Sequence, residues 1–311
     1  MTSNLRPESA FLTGPSKIQV QSVLYGNGFD HVERAVLSLG KAAEIAIREG
    51  SAAQIELAYG DSSPTPCLNE HQLARLRSHC PGWLTIRYDF FQGNLGSARG
   101  HNRLAESSDA DFILVQNPDV VIAPRVIETL LKTFRRAGVG MVEAKQLPIE
   151  HPKDYDIQTG RTSWASTACA MTPLSLFRQI GGFDADSFFL YCDDVDYSWS
   201  VRLAGFDVIF EPSAVVFHDK HLSDSGGWVA TSSERYYSAE AALILAHKWS
   251  RPDLVKFILA DFGASPEEQI QKAKTHYESR LKAGTLPRPV DAEHKVGQFL
   301  AGLYAPHRFR L

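Results

Sequence analysis

The stretch that most constrains this chain is residues 111–116, DFILVQ, which runs straight into Asn117-Pro118-Asp119. Its apolar residues are consecutive, so both faces of the strand it predicts must be covered. Strands of that kind sit at the centre of parallel sheets with helices on either side. The neighbouring segments supply both. Residues 18–25 (IQVQSVLY) predict a first strand that breaks at Gly26-Asn27-Gly28, after which Val32, Ala35, Val36, Leu39 and Ala43 recur at helical spacing. Residues 55–59 predict a second strand, stopping at Gly60-Asp61-Ser62-Ser63-Pro64. Residues 84–88 predict a third, followed by Gln92-Gly93-Asn94-Leu95-Gly96 and a helix through Ser107. Pro124 suits a first helical turn, with Val126, Ile127, Leu130, Leu131 and Phe134 on the buried face. This alternation predicts an α/β fold with a mostly parallel, Rossmann-like central sheet flanked by helices. Ligands of such sheets bind beyond the carboxyl ends of the strands. Tyr25, Asp61 and Asp119 each follow a predicted strand end.

Composition narrows the function. At 311 residues there is core enough for one large domain or two modest ones. A net charge of −4 argues against nucleic-acid binding driven by phosphate neutralisation. No apolar run is long enough to span a bilayer, the first residues lack the apolar core of a signal peptide, and Cys67, Cys80, Cys169 and Cys192 make no Cys-x-x-Cys pair. The expectation is a cytoplasmic enzyme without zinc. There is no Gly-x-Gly-x-x-Gly after the first strand, which counts against a nicotinamide cofactor. The expected organisation is a flexible N-terminus over 1–17, a catalytic domain over 18–222 and a C-terminal helical region over 223–311.

Residues 181–218 carry the densest chemistry. Asp184, Asp186, Asp193, Asp194 and Asp196 surround the aromatic segment Phe188-Phe189-Leu190-Tyr191, and a helix follows with Val195, Trp199, Arg202 and Leu203 in phase before Gly205. Acids at a helix start also favour its dipole, which is the plain account of Asp193, Asp194 and Asp196. Yet a carboxylate against apolar rings has its pKa pushed towards that of a general base. Residues 207–210 and 214–217 predict strand, ending on His218, which is placed either as a satisfied histidine or as a metal ligand backed by Asp219. Asp119 is placed as a turn cap or as an oxygen ligand for Mg²⁺ or Mn²⁺.

The order of these pieces resembles the family 2 glycosyltransferases of the GT-A fold, and especially their bacterial rhamnosyltransferase-like branch. The matching residues are Gly60-Asp61-Ser62-Ser63, Asn94-Leu95-Gly96 with Gly100-His101-Asn102, residues 112–120 (FILVQNPDV) and Gly181-Gly182-Phe183-Asp184. They continue through residues 188–196 (FFLYCDDVD), 202–206 (RLAGF) and 212–218 (PSAVVFH). The resemblance implies that Tyr25, Asp61, Asn102, Asn117, Asp119 and Asp193 serve donor binding, with Asp61 at the base of the nucleotide. It implies that Asp119 and His218 hold a divalent metal, Mg²⁺ or Mn²⁺, on the diphosphate. Asp194 then matches the general base that takes a proton from the acceptor hydroxyl in an inverting displacement. Asn117 stands where an acid is usual, Asp193 where glutamate is usual, and Tyr25-Gly26-Asn27 where Thr-Tyr-Asn is usual. The expected donor is a nucleotide-diphosphate sugar, dTDP-rhamnose first, with UDP-galactose, UDP-glucose and GDP-mannose open. The expected acceptor is a glycan or a lipid-linked saccharide, in cell wall or polysaccharide synthesis.

Two other classes stay open on sequence alone. A sugar-nucleotide nucleotidyltransferase would want a basic, glycine-rich first loop, and the chain has no Lys or Arg between Lys17 and Asp30. A non-catalytic carbohydrate- or nucleotide-binding module would account for the aromatics but not for the acidic pair. The C-terminal third, with Ser265 to Glu268 as a capping box and a last amphipathic piece over 296–304, is expected to serve acceptor access, self-association or a membrane surface. Its apolar residues Ala241, Leu243, Ile244, Leu245, Phe299, Leu300, Leu303 and Tyr304, next to His307, Arg308 and Arg310, would suit the inner face of the plasma membrane. Simple packing on the catalytic domain or on a second subunit is the plainer expectation.

Overall fold

The computed structural model describes residues 11–300 apart from 13, 81, 151–152 and 219–230. At its centre is an 8-stranded sheet in the order β3-β2-β1-β4-β7-β6-β8-β5. Four strands form the predicted parallel half: β1 (Ser16–Leu24), β2 (Ala52–Asp61), β3 (Thr85–Phe90) and β4 (Phe112–Gln116). The other half is mixed. β7 (Cys169–Pro173) runs against both β4 and β6 (Val139–Leu147), β8 (Asp207–His218) is parallel to β6, and short β5 (Val120–Ile122) lies antiparallel along the end of β8.

The strands alternate as a doubly covered sheet requires. Ile18, Val20 and Leu24 of β1 and Phe112 and Leu114 of β4 face one apolar layer. That layer includes α1 (Phe29–Arg48), α2 (Glu70–Ser78) and α4 (Val126–Thr133). Ile113 and Val115 face the other, shared with α3 (Gly96–Glu106), α5 (Leu174–Ile180) and α6 (Asp193–Leu203). β4 is buried at every position, as its unbroken apolar run demands.

Three strands escape the sequence reading, β5, β6 and β7. β6 contains Glu143, Lys145 and Gln146, which look like surface residues, yet Glu143 and Gln146 are fully buried. Glu143 pairs with the buried ammonium of Lys153, which also lies 4.2 Å over the Trp164 ring. The two predicted pieces over 207–217 are one strand, bent at a register shift opposite Ala144 and Lys145, which accommodates Pro212. β1 begins at Ser16, and Phe11 packs 5.5 Å from the Phe206 ring, so the flexible stretch expected over 1–17 does not extend through its second half; residues 1–10 lie outside the described set.

The C-terminal region is built from α7 (Ser232–Lys248), α8 (Pro252–Ala264) and α9 (Glu268–Ala283). Thr231 and Glu234 form the capping box of α7. The box expected at Ser265 and Glu268 is absent: Ser265 ends α8 with extended backbone, as a residue before proline prefers, and α9 starts from Glu267 without a side-chain cap. Ala241, Leu243, Ile244 and Leu245 are buried with Val195 and Trp199 of α6, and Trp249 meets Trp199 edge-on at 5.1 Å. That apolar face is therefore spent on the body of this chain, which removes it from a membrane or a second subunit. Phe299 closes on Trp199 at 5.0 Å, while residues 301–311, including Leu303, Tyr304 and the basic tail, lie outside the described set. Among the described residues no helix is long and apolar enough to cross a membrane.

Candidate active site at the carboxyl edge of the sheet

The chain turns back on itself directly after β4. The Asn117 amide bonds the Ala168 carbonyl at 2.9 Å, and the Val120 amide returns to the Asn117 carbonyl at 3.1 Å. This tight turn launches β5, and the pairing of Val120 with His218 brings the last residue of β8 beside Asp119. His218 Nε2 lies 3.5 Å from Asp119 Oδ2 and 3.4 Å from Asn117 Nδ2. Burial alone would raise the Asp119 carboxyl, but the His218 ring and the more distant His31 hold it below the usual carboxylate range.

Gln146, from the end of β6, completes the group. Its Oε1 lies 2.9 Å from His218 Nδ1. An amide oxygen can only accept, so Nδ1 donates to it, and in the neutral ring Nε2 keeps its lone pair on the side of Asp119. In that neutral form Nε2 and Asp119 Oδ2, 3.5 Å apart, are both electron-pair donors that a cation can take. The donor set, one carboxylate oxygen and one imidazole nitrogen with its far side fixed, suits Mg²⁺ or Mn²⁺ that takes its remaining oxygens from a diphosphate. Among the described residues there is no group of three or more acidic, histidine or cysteine ligands. Asp219, expected behind His218, lies outside the described set; among the described residues Gln146 supports the ring.

The loop after β2 is held differently from its sequence expectation. Asp61 has 0% exposure, and its carboxylate accepts from the Ser63 amide at 2.9 Å, the Cys67 amide at 2.7 Å and the Tyr88 hydroxyl. Burial would raise its pKa, and these donors together bring it below the usual range. Asp61 thus shapes the loop through both carboxylate oxygens. The Gly26 amide donates to Ser63 Oγ at 2.9 Å, tying the first loop to the second, while Tyr25 stands 58% exposed at the mouth. Asn102 is also committed: it donates to the Phe183 carbonyl at 2.8 Å and accepts from the Phe183 amide at 2.9 Å. At Gly182, with φ +75, a Cβ would fall 2.5 Å from Asn102 Oδ1, so only glycine lets this double bond form. Asn102 holds the acidic loop through one donor and one acceptor of its amide.

The acidic loop itself is tightly built. The Phe189 carbonyl accepts from the Ser97 amide at 3.1 Å, and a Cβ on Gly96 would sit 2.4 Å from that oxygen. The Phe189 ring stacks on Tyr237 at 4.9 Å, and the Tyr191 hydroxyl donates to Glu234 at 3.0 Å. Tyr191 and Cys192 then adopt φ 68° and 57°, the left-handed region that costs a side-chain-bearing residue about 1–2 kcal/mol each. Consecutive residues in that region persist only where their surroundings over-determine them, and such places are often functional. They deliver Asp193 and Asp194, both buried, into the first turn of α6. The pKa rise expected for an acid against apolar rings falls on Asp196: burial beside Trp249 raises it, against the opposing pull of Lys248.

The structure thus brings Asn117, Asp119 and His218 together, puts Asp193 and Asp194 in the first turn of α6, and ties Asp61 and Asn102 into loop hydrogen bonds. Sequence reasoning passed over Gln146, although a polar residue at the end of an apolar strand is a usable signal. It also passed over Lys248, which reads as an ordinary cation in a last helical turn.

No model of a known protein family matches the chain. In sequence it is 28% identical over 243 residues to the N-acetylglucosaminyl-diphospho-decaprenol L-rhamnosyltransferase of Mycobacterium tuberculosis, in strains CDC 1551 / Oshkosh and ATCC 25618 / H37Rv alike. That match covers 65% of this chain and 76% of the relative. In fold it is similar to the crystal structure of GalNAc-T7 with UDP, GalNAc and Mn²⁺, with a TM-score of 0.60 at 13% identity. The likeness covers 86% of this chain and 55% of that one, and it is one of fold. The chain therefore has the GT-A fold and is rhamnosyltransferase-like in sequence, as its motif order leads one to expect.

Proposed function

We propose that this rhamnosyltransferase-like chain of the GT-A fold transfers a sugar from a nucleotide-diphosphate donor to a hydroxyl of a glycan or lipid-linked acceptor, with inversion. The observation that carries the reading is the convergence of Asp119, His218 and Asn117 at the sheet edge, in a chain that also buries an acidic pair at the start of α6. The relative, whose name gives an L-rhamnosyl donor and a lipid-diphosphate acceptor, supports dTDP-rhamnose as the first donor to try.

When bound, a divalent cation would offset the negative charge that grows on the departing diphosphate. Asp119 Oδ2 and His218 Nε2 would hold it, with Gln146 keeping the ring in the right tautomer. The exposed ring of Tyr25 gives the nucleobase an apolar face to stack on. Asp193 borders the donor sugar. Asp194 takes the acceptor hydroxyl proton as that oxygen attacks the anomeric carbon from the side opposite the diphosphate. Its buried first-turn position keeps it oriented, and the strained residues before it fix where the helix starts.

The test is release of nucleoside diphosphate from dTDP-rhamnose, UDP-galactose, UDP-glucose and GDP-mannose, each with Mn²⁺ or Mg²⁺ and a lipid-diphosphate saccharide acceptor. Transfer with inverted anomeric configuration, read by NMR of the product, is expected. Formation of pyrophosphate, or tight donor binding with no turnover, would overturn the reading in favour of a nucleotidyltransferase or a binding module.

A further inference from the structure

We propose that Lys248 is a positioning residue of the transfer reaction: its ammonium ties together the two ends of residues 184–196 and so fixes where Asp194 presents its carboxylate. The proposal rests on the reading of Asp194 as the base. Lys248 belongs to the last turn of α7, outside the α/β body, where a cation ordinarily needs no explanation beyond the helix dipole. Its Nζ, however, lies 2.7 Å from Asp184 Oδ2 and 2.8 Å from Asp196 Oδ2, with only 13% of the lysine side chain exposed. Asp184 opens the acidic loop, where it also accepts from the Ser187 amide at 3.1 Å. Asp196 closes it, two residues beyond Asp194 in the same first turn of α6, and its second oxygen accepts from Trp249 Nε1 at 2.9 Å.

The stretch between the two acids contains Phe189, the left-handed Tyr191 and Cys192, and the acidic pair. Two further ties come from the same helix, Tyr237 stacking on Phe189 and Glu234 receiving the Tyr191 hydroxyl, while Ser97, Arg99 and Arg280 hold it from other helices. α7 therefore acts as a splint along the loop, and Lys248 is its ionic anchor. Stability alone does not call for this. Trp249, Leu243, Ile244 and Leu245 already bury a large apolar face against Val195 and Trp199, and buried ion pairs seldom add stability over an apolar substitute. What two carboxylates on one ammonium add is direction, since each bond fixes one end of the loop relative to the other. A shift of Asp196 would carry Asp194 with it on the same helical turn.

The experiment compares the full chain with Lys248→Met, Lys248→Arg and Asp184→Asn, reading hydrogen exchange over residues 184–196 together with kcat and donor KM. For Lys248→Met we expect exchange there to quicken while the sheet core stays protected, and kcat to fall about 100-fold, the scale of a 1 Å misplacement. Donor KM should stay within about 3-fold, because donor contacts are untouched. Lys248→Arg, which keeps the charge, should recover most of both. Asp184→Asn removes only the more exposed arm, so it keeps the proposal testable if Lys248→Met does not fold; its kcat should drop about 10-fold. Unchanged exchange over 184–196 in a folded variant would overturn the proposal, as would an apparent kcat that falls only in proportion to the folded fraction. A parent chain that transfers no sugar would overturn the functional reading instead, and the exchange arm would still decide whether Lys248 holds the segment.

Discussion

Gln146→Leu separates ring orientation from folding. Gln146 is fully buried, and its Oε1 holds His218 Nδ1 at 2.9 Å, while among the described residues its Nε2 has no partner. Leucine has similar bulk, so no large cavity opens. One hydrogen bond worth about 1 kcal/mol is lost, and one unsatisfied buried donor, costing about 1–3 kcal/mol, is removed with it. The net change in stability should therefore be small or favourable, with a Tm within a few degrees of the parent. The effect on the site should be large by comparison. Without Gln146 the imidazole is free to rotate and to place its proton on Nε2, where it opposes a cation. Loss of such a supporting partner weakens metal affinity about 10–100-fold, or roughly 1.4–2.8 kcal/mol. Calorimetric titration of Mn²⁺ in the presence of a nucleoside diphosphate, beside a thermal melt, measures both. A variant that binds Mn²⁺ as the parent does, while His218→Ala loses binding, would refute the orienting role. Unchanged binding in both would refute His218 as a ligand altogether.

Asp194→Asn should abolish transfer while leaving donor affinity nearly intact, since only the proton acceptor is lost; a purified variant working at the parent rate would exclude Asp194 as the base. Asp119→Ala should weaken sugar-nucleotide binding mainly when divalent metal is present, and equal loss with and without Mn²⁺ would point to a structural role for the turn. Asp61→Asn should destabilise the fold at pH 7 by about 2–3 kcal/mol through the loss of charge-assisted hydrogen bonds. Because the Asp61 carboxyl is held below its ordinary value, its contribution is present above the unfolded pKa and fades as pH falls through the folded one. Denaturant unfolding should therefore show the gap between parent and Asp61→Asn closing in acid, and a gap independent of pH would be contrary to this account.

The sequence by itself determined the elements whose patterns are local. The unbroken apolar run of β4 specifies a strand covered on both faces, and the helical spacing from Val32 to Ala43 specifies α1, because both follow from side-chain period alone. The same locality made the turn after β4 and the acidic start of α6 visible as candidate chemistry. Only tertiary structure decided which candidates meet. His218 reaches Asp119 because β5 folds back along β8 across 98 intervening residues, a pairing that no periodicity encodes. Asp61 and Asn102 look like binding residues in a motif, and only the fold shows that they bond Tyr88 and Phe183, which are near in space and distant in sequence. The polar residues Glu143 and Gln146 hid β6 from a reading based on alternation, because their partners Lys153 and His218 come from other strands and loops. The C-terminal helices show the same division. Their apolar faces are plain in the sequence, but an apolar face does not name its partner, and here Trp199 and Val195 of α6 claim it. Hydrophobic period is a property of neighbours along the chain, whereas the saturation of a carboxylate or an amide depends on whatever the fold brings within 3 Å of it.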